Sequence, residues 1–395
     1  MLRAGSTILL GVTAASGAPN SKETDAPARV LWLIKGLGAG GAERVLALSA
    51  RLRDRDAVEP QIAYLLEHKR ALIDEFAVAG VPTTCLRARG SWDLRWIRGL
   101  RHLCRSERIA IVHSHSPITT IGARIALRTM PRSVRPALVT TEHNVWGSHA
   151  RATRLADAAT ARGEELHLAV SGAVRESMPA RLREGTRLVQ YGVPVAEVRE
   201  IGRDREGARR ALGVGPGEVL VGTVANLRAT KGYPDLLAAA RRVVDRADDV
   251  RFVALGQGPL EADLRARADE LGLGTRFRFL GYRADAVEVM SAFDVFCLAS
   301  HYEGLPIALM EALVLGIPVV ATDVGGIAEV VTDGQEAILV TPGRPQELAD
   351  AIVALAADPE RRAEMSRRAR ERGERLDIEH AVRTVEAVYR EVLGR

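Results

Sequence analysis

The residues best equipped for chemistry lie in one stretch, 300–315, SHYEGLPIALMEALVL. Glu303 and Glu311 stand eight residues apart, with Gly304 and Pro306 between them. Proline suits the first turn of a helix, so a helix is expected to begin near Pro306. Glu303 then sits in the loop before it and Glu311 well inside it. The amides around Gly304 and Leu305 would point out of the helix N-terminus, a natural seat for an anion. Glycine lets a phosphate come close to the backbone. A capped surface helix with two solvated glutamates is the plain alternative. The rest of the helix is apolar all round, however, and such a helix is buried. A glutamate inside it needs polar partners, because an unpaired buried charge is costly. A ligand rich in hydroxyls would supply them.

A second candidate is GTVANLRATKG at 222–232, placed directly after a strand. Lys231 can offer a mobile ammonium to a pyrophosphate, with Asn226 and Arg228 nearby. The plain alternative is a surface cation in a loop. Only four of the 55 cationic residues are Lys (Lys22, Lys35, Lys69 and Lys231), so a lysine here is notable. The loop GLGAGG at 36–41 satisfies G-x-G-x-x-G through Gly36, Gly38 and Gly41. With Glu67 near the end of the next strand, it leaves a nicotinamide-dependent oxidoreductase open. Gly40 and the following Ala42-Glu43-Arg44 set it apart from the usual dinucleotide loop. His113 and His115 end one strand and His143, in TTEHN, ends another. They lack metal-ligand spacing, so no metal is expected. His143 is the better candidate for touching a substrate. Gly256, in GQGP, and Gly325-Gly326 also follow strands, where plain turn chemistry is the alternative.

These residues need a scaffold, and the hydrophobic pattern describes one. Short apolar runs at 29–35, 61–66, 81–86, 109–115, 137–142 and 166–171 read as strands. Helical segments at 42–52, 68–79, 92–105 and 118–127 alternate with them. After a polar stretch at 196–210 the pattern restarts, with strands at 219–224, 251–255, 276–280, 295–298, 318–321 and 337–340. Helices at 234–245, 260–271, 306–315 and 346–356 lie among them. The fold class is therefore α/β, two tandem Rossmann-like domains whose parallel sheets face each other across a cleft. Ligands of such sheets bind outside the carboxyl ends of the strands. The expected division is a disordered leader at 1–28, domains at 29–196 and 197–376, and a helix at 377–395. That helix either caps the second domain or crosses back to the first. The leader also has a weak signal-peptide reading.

Composition narrows the function classes. The 395 residues are 47% hydrophobic and 27% charged, which excludes a mainly disordered or fibrous chain. No apolar run approaches the length of a membrane span. Three widely spaced cysteines argue against a disulfide framework and fit a reducing cytosol. The net charge of +5 is unevenly spread. Residues 1–195 carry 28 Lys/Arg against 17 Asp/Glu, a balance of +11, and the remainder carries −6. No nucleic-acid recognition module accompanies that charge. Residues 92–108 interleave Trp92, Trp96, Ile97, Leu100 and Leu103 with five arginines. Such a helix could lie on an anionic membrane surface, or pack on the sheet with a solvated arginine face.

Taken together, GAGGAER at 38–44, VHSHS at 112–116, TEHN at 141–144, VSGAV at 170–174 and GTVANLRATKG resemble the retaining glycosyltransferases of family 4. LGQGP at 255–259, FLGY at 279–282, EGLPIALMEAL at 303–313 and GIPVVATDVGGIAEVV at 316–331 extend the likeness. The resemblance implies the GT-B fold and sugar transfer from a UDP- or GDP-sugar to a saccharide, glycolipid or other hydroxyl acceptor. It implies no metal and no cofactor, the nucleotide sugar being a co-substrate. It assigns Glu311 to the ribose hydroxyls, Glu303 to the donor sugar, Lys231 to the diphosphate, and His143 to the sugar near the reacting centre. Gly40 and Gly41 would close over the diphosphate, and Asn226, Arg228, Gly256, Gly304 and Leu305 would complete the donor site. His115 and Glu43 would stand on the acceptor side. Many members carry Arg five residues before the lysine, where this chain has Asn226. Arg228 would substitute, or Lys231 would act with backbone amides; a non-catalytic sugar-nucleotide binder serving a partner is the alternative. The implied setting is cytoplasmic, peripheral at the inner face of the membrane.

Overall fold

The computed structural model describes residues 26–38, 40–90, 93–161 and 166–394. Most of the expected leader, and Trp92, lie outside them.

Two parallel sheets organise the chain. The first contains β1 (Ala28–Ile34), β2 (Val58–Tyr64), β3 (Thr83–Cys85), β4 (Ile111–Ser114), β5 (Ala137–Glu142), β6 (Leu166–Ala169) and β7 (Arg187–Leu188). Their order in space is β3-β2-β1-β4-β5-β6-β7. The second contains β8 (Val219–Val224), β9 (Val250–Leu255), β10 (Phe277–Gly281), β11 (Val295–Leu298), β12 (Val319–Thr322) and β13 (Ala337–Val340). Its order is β10-β9-β8-β11-β12-β13. Strand order reverses beside β1 in one sheet and beside β8 in the other. Each reversal opens a crevice at the carboxyl ends of the strands. Central strands such as β11 (VFCL) and β12 (VVAT) are buried throughout, as doubly covered parallel strands must be.

The structure corrects several local expectations. The helix expected at 68–79 is only Ile73–Val78. Residues 66–72 instead bond the glycine loop, with Leu37 N donating to Lys69 O at 2.8 Å and Leu72 N to Leu37 O at 3.1 Å. The polar stretch at 196–210, given no element from its sequence, forms two helices, Val195–Ile201 and Arg205–Leu212. Arg205 and Arg209 grip Asp294 at 2.6 and 2.8 Å, fastening that segment to the second sheet. The helix expected at 92–105 spans Trp96–Ser106, and Trp96, Ile97, Leu100 and Cys104 are buried against the first sheet. Its apolar residues are committed to the core, and the arginines Arg98 and Arg105 face solvent. The membrane-lying reading therefore loses its apolar face. Among the described residues no helix is long and apolar enough to cross a membrane.

The chain passes between the two halves twice, and the crossings lie side by side. Val193 N donates to Leu376 O at 2.8 Å, and Ile378 N donates to Val193 O at 3.2 Å. Gly192 is obligatory here, since a Cβ would come within 2.1 Å of Leu376 O. The last helix, Ile378–Val392, thus returns to the first half. Ile378 and Val382 pack on Leu48, and Tyr389 joins the first half's core with Trp32.

Candidate active site

The cleft between the halves holds a cavity of about 360 Å³. Its second-half wall is built on the helix Ile307–Leu315. Leu309, Met310, Ala312, Leu313 and Val314 are buried on that helix, which explains its apolar sequence. Pro306 takes the cap position, one residue earlier than expected, and Gly316 ends the helix at φ 73°. Leu305, Pro306, Ile307 and Ala308 line the cavity, so first-turn amides face it. The strap before the helix is clamped from both sides. A Cβ on Gly304 would lie 1.8 Å from His143 O, and one on Gly325 would lie 1.9 Å from Glu303 O. Gly326 N donates to Gly304 O at 2.9 Å. Glu329 fastens the same region across the halves by accepting from Gly172 N at 2.8 Å and Ala173 N at 2.7 Å.

Glu303 is 4% exposed and does not stand free. Lys231 Nζ donates to its two oxygens at 2.8 and 2.7 Å, and Ser300 Oγ donates to Oε1 at 2.6 Å. The cation assigned to a diphosphate and the carboxylate assigned to a sugar are therefore a bonded pair. Glu311 has no hydrogen-bond partner among the described residues. Burial pushes its carboxyl up to about 7, and Arg44, from the opposite half, pulls the other way. Neither the Lys231–Glu303 pairing nor Arg44's reach to Glu311 follows from the sequence. Arg44 stands within the quoted GAGGAER, so its position carries some signal.

His143 lines the cavity from the first half. Burial holds its imidazole down to about 4, so it is neutral at pH 7. His115, expected on the acceptor side, does not line the cavity. It is 4% exposed, and its Nδ1 meets His143 Nε2 at 3.2 Å. It supports His143 from behind because β4 and β5 are neighbours. Behind them runs a buried polar chain. Trp32 Nε1 donates to Tyr389 Oη at 3.0 Å, and Tyr389 Oη meets His113 Nδ1 at 2.6 Å. His113 Nε2 meets Thr141 Oγ1 at 2.7 Å. Indole can only donate, so Tyr389 Oη accepts from Trp32, and both ring nitrogens of His113 have a hydroxyl partner. His113 is thus a satisfied structural histidine. Tyr191, which stacks on His143 with ring centroids 6.0 Å apart, also lines the cavity, and no sequence signal points to it.

Gly40, Gly41, Glu43, Asn226 and Gly256 all line the same cavity. Gly41 approaches the Ile307 side chain, where a Cβ would be 3.8 Å from Cγ1. Burial raises the Glu43 carboxyl pKa. Arg228 is exposed and is not among the residues that line the cavity. Among the described residues no cluster of three His, Cys, Asp or Glu could hold a metal. The single Asp-x-Asp triplet, Asp54-Arg55-Asp56, precedes β2, at the end of the sheet remote from the cleft.

The comparisons agree with this architecture. Residues 39–197 match the family described as Glycosyltransferase Family 4, and residues 204–372 the family described as Glycosyl transferases group 1. The D-inositol 3-phosphate glycosyltransferase of Kribbella flavida is 30% identical over 336 residues, covering 80% of this chain and 75% of that protein. The Corynebacterium urealyticum enzyme of the same name is 33% identical over 198 residues, 48% of this chain and 46% of its own length. Over several such curated relatives the match thus spans about half of their length. HepE of Anabaena, solved in complex with UDP-glucose, shares the fold with a TM-score of 0.79 at 22% identity, over 92% of this chain and 99% of that one. Two facing parallel sheets, a cleft at their switch points and these matches displace the dinucleotide reading of the first glycine loop, and the chain belongs to glycosyltransferase family 4.

Proposed function

We propose that the protein transfers a sugar from a UDP- or GDP-sugar to a hydroxyl of a saccharide, glycolipid or related acceptor, with retained configuration and without a metal. The observation that carries this is the unpartnered Glu311 carboxylate on an otherwise apolar helix, inside the cavity that also holds Lys231. A ribose diol satisfies such a carboxylate at its own pitch of hydroxyls. Glu303 accepts hydroxyls of the donor sugar, while Lys231 and the first-turn amides of Ile307 and Ala308 meet the charge that builds on the leaving diphosphate. Preorganised donors of that kind supply the main part of the rate enhancement. Neutral His143 contributes a hydrogen bond near the reacting carbon without adding a charge. The donor arrives opposite a Lys231–Glu303 pair, and Lys231 turns from the carboxylate to the phosphate as it binds. The acceptor lies on the first half, and the work is done in the cytoplasm, where the exposed Arg98 and Arg105 can approach an anionic membrane surface.

Purified protein presented with UDP-, GDP- and ADP-sugars should hydrolyse one class slowly, and Lys231→Ala and Glu311→Ala should abolish that hydrolysis. Full activity in both variants would sink the assignment. Nucleotide binding without any turnover would favour the non-catalytic partner instead.

A further inference from the structure

The chain writes Arg at 51 of its 55 cationic positions, so every lysine is an exception. Three of the four lysines fall among the described residues, and all three follow the carboxyl ends of parallel strands, the ends that face the cleft. Lys231 stands in its wall. Lys35 follows β1 and Lys69 lies in the loop after β2, at the carboxyl ends of adjacent strands. The backbone holds these two segments together. Leu65 N and Leu66 N donate to Lys35 O at 3.3 and 3.1 Å, and Leu37 N donates to Lys69 O at 2.8 Å. The stem of Lys69 lies against Gly36, where a Cβ would come within 2.7 Å of Lys69 Cβ. Leu72, at the end of the same loop, lines the cavity.

Both lysines are half-buried, and among the described residues neither ammonium has a hydrogen-bond or ion-pair partner. Burial, then the charge of Lys69, then that of Arg228 depress the Lys35 pKa. Glu43, in the cavity wall, feels both Lys69 and Arg228, but burial holds it toward its neutral form. Two half-buried ammonium groups held on neighbouring strand ends, with no hydrogen-bonded or ion-paired partner among the described residues, suit an anion that joins them. The leaving diphosphate already has Lys231 and the helix amides. We propose that Lys35 and Lys69 form a subsite for an anionic group on the acceptor, a phosphate or carboxylate lying beyond the reacting hydroxyl. This rests on reading the cleft as a site of glycosyl transfer. Compact ammonium groups act as point charges on such an anion and do not impose the fork geometry of arginine.

The test uses the full chain saturated with its nucleotide, UDP or GDP, and calorimetric titration with glucose 6-phosphate, glucose and inorganic phosphate. The phosphorylated sugar should bind at least about tenfold more tightly than glucose, which corresponds to about 1.4 kcal/mol. Lys35→Gln/Lys69→Gln should erase that preference and leave nucleotide affinity unchanged. Vesicles containing phosphatidylinositol form a separate arm, and lysine-dependent binding to them alone would assign the anion to a lipid headgroup. Equal affinity for the two sugars with no vesicle binding, or a preference that survives the double variant, overturns the proposal. So does a double variant that loses the nucleotide, since the lysines would then serve the donor. If no nucleotide binds, the transfer reading fails separately, and inorganic phosphate alone still decides the lysines. Phosphate bound by the parent and lost in the double variant supports the subsite, and any other result overturns it.

Discussion

Glu311→Gln isolates the cost of keeping a carboxylate ready for a ligand. The carboxyl pKa rises from 4.5 to about 7, chiefly through burial and against the pull of Arg44. Because the folded-state value is the higher one, this group favours the fold below pH 4.5 and loses that contribution as pH climbs through 7. A tenfold change in proton affinity on folding is worth about 1.4 kcal/mol, so wild-type protein should lose about 2.5 kcal/mol from this source between pH 5 and pH 8. Glutamine keeps the shape and cannot ionise. Urea denaturation of both proteins at pH 5, 6, 7 and 8 yields the variant-minus-wild-type difference, in which all other titrations cancel. Glu311→Gln should gain on wild type steadily, by about 2.5 kcal/mol over the range, while its affinity for UDP or GDP falls. A difference that is flat with pH, or a variant that loses ground as pH rises, would refute the argument that Glu311 is half-buried in the cavity wall without a partner.

Lys231→Ala leaves Glu303 charged and buried beside Ser300 alone, and should cost about 3 kcal/mol in denaturation; adding Glu303→Gln should restore most of that without restoring nucleotide binding. Gly304→Ala forces a methyl into His143 O and so prises the halves apart; nucleotide Kd should rise by about tenfold or more, measured by calorimetry, while each sheet keeps its circular dichroism. Tyr389→Phe removes the shared oxygen between Trp32 and His113, and should cost about 2 kcal/mol by leaving the indole N–H unpaired. His143, with its pKa near 4, should show one unchanged set of imidazole NMR shifts from pH 5.5 to 8, and a titration inside that window would contradict its burial.

The parallel strands are legible in the sequence because β11 and β12 are short runs of mainly apolar residues, and the 300–315 stretch betrays its helix through proline and apolarity. Other features depend on partners distant in sequence. Lys231 and Glu303 are 72 positions apart, and nothing local says that they bond. The helix Pro359–Gly373 escapes a reading by apolar periodicity because its sequence is dominated by arginine and glutamate, with only Met365, Ala369 and Gly373 buried. Gly373 there replaces a side chain with close backbone contact, since a Cβ would lie 2.7 Å from Val314 Cα. His115 looks like a cleft residue because strand ends are shared by groups that face the ligand and groups that brace them. Only the β4–β5 register separates the two.

The returning helix also imposes an order on biosynthesis. Trp32 and Tyr389 are 357 residues apart, yet the indole has its hydrogen-bond partner only in that tyrosine. At about 5–20 residues per second, a ribosome needs roughly 20–70 s to supply the second after the first. Throughout that interval the apolar flank of Gly41–Leu52 around Leu48 has emerged without the Ile378 and Val382 that cover it. The first half therefore waits, incomplete, while the second is made, and translation stalled before Ile378 should leave a nascent chain that holdase chaperones bind and proteases cut within the first half. Emergence of Ile378–Val392 from the ribosome ends both liabilities at one stroke, so the same segment that joins the halves also marks the moment when the first of them is finished.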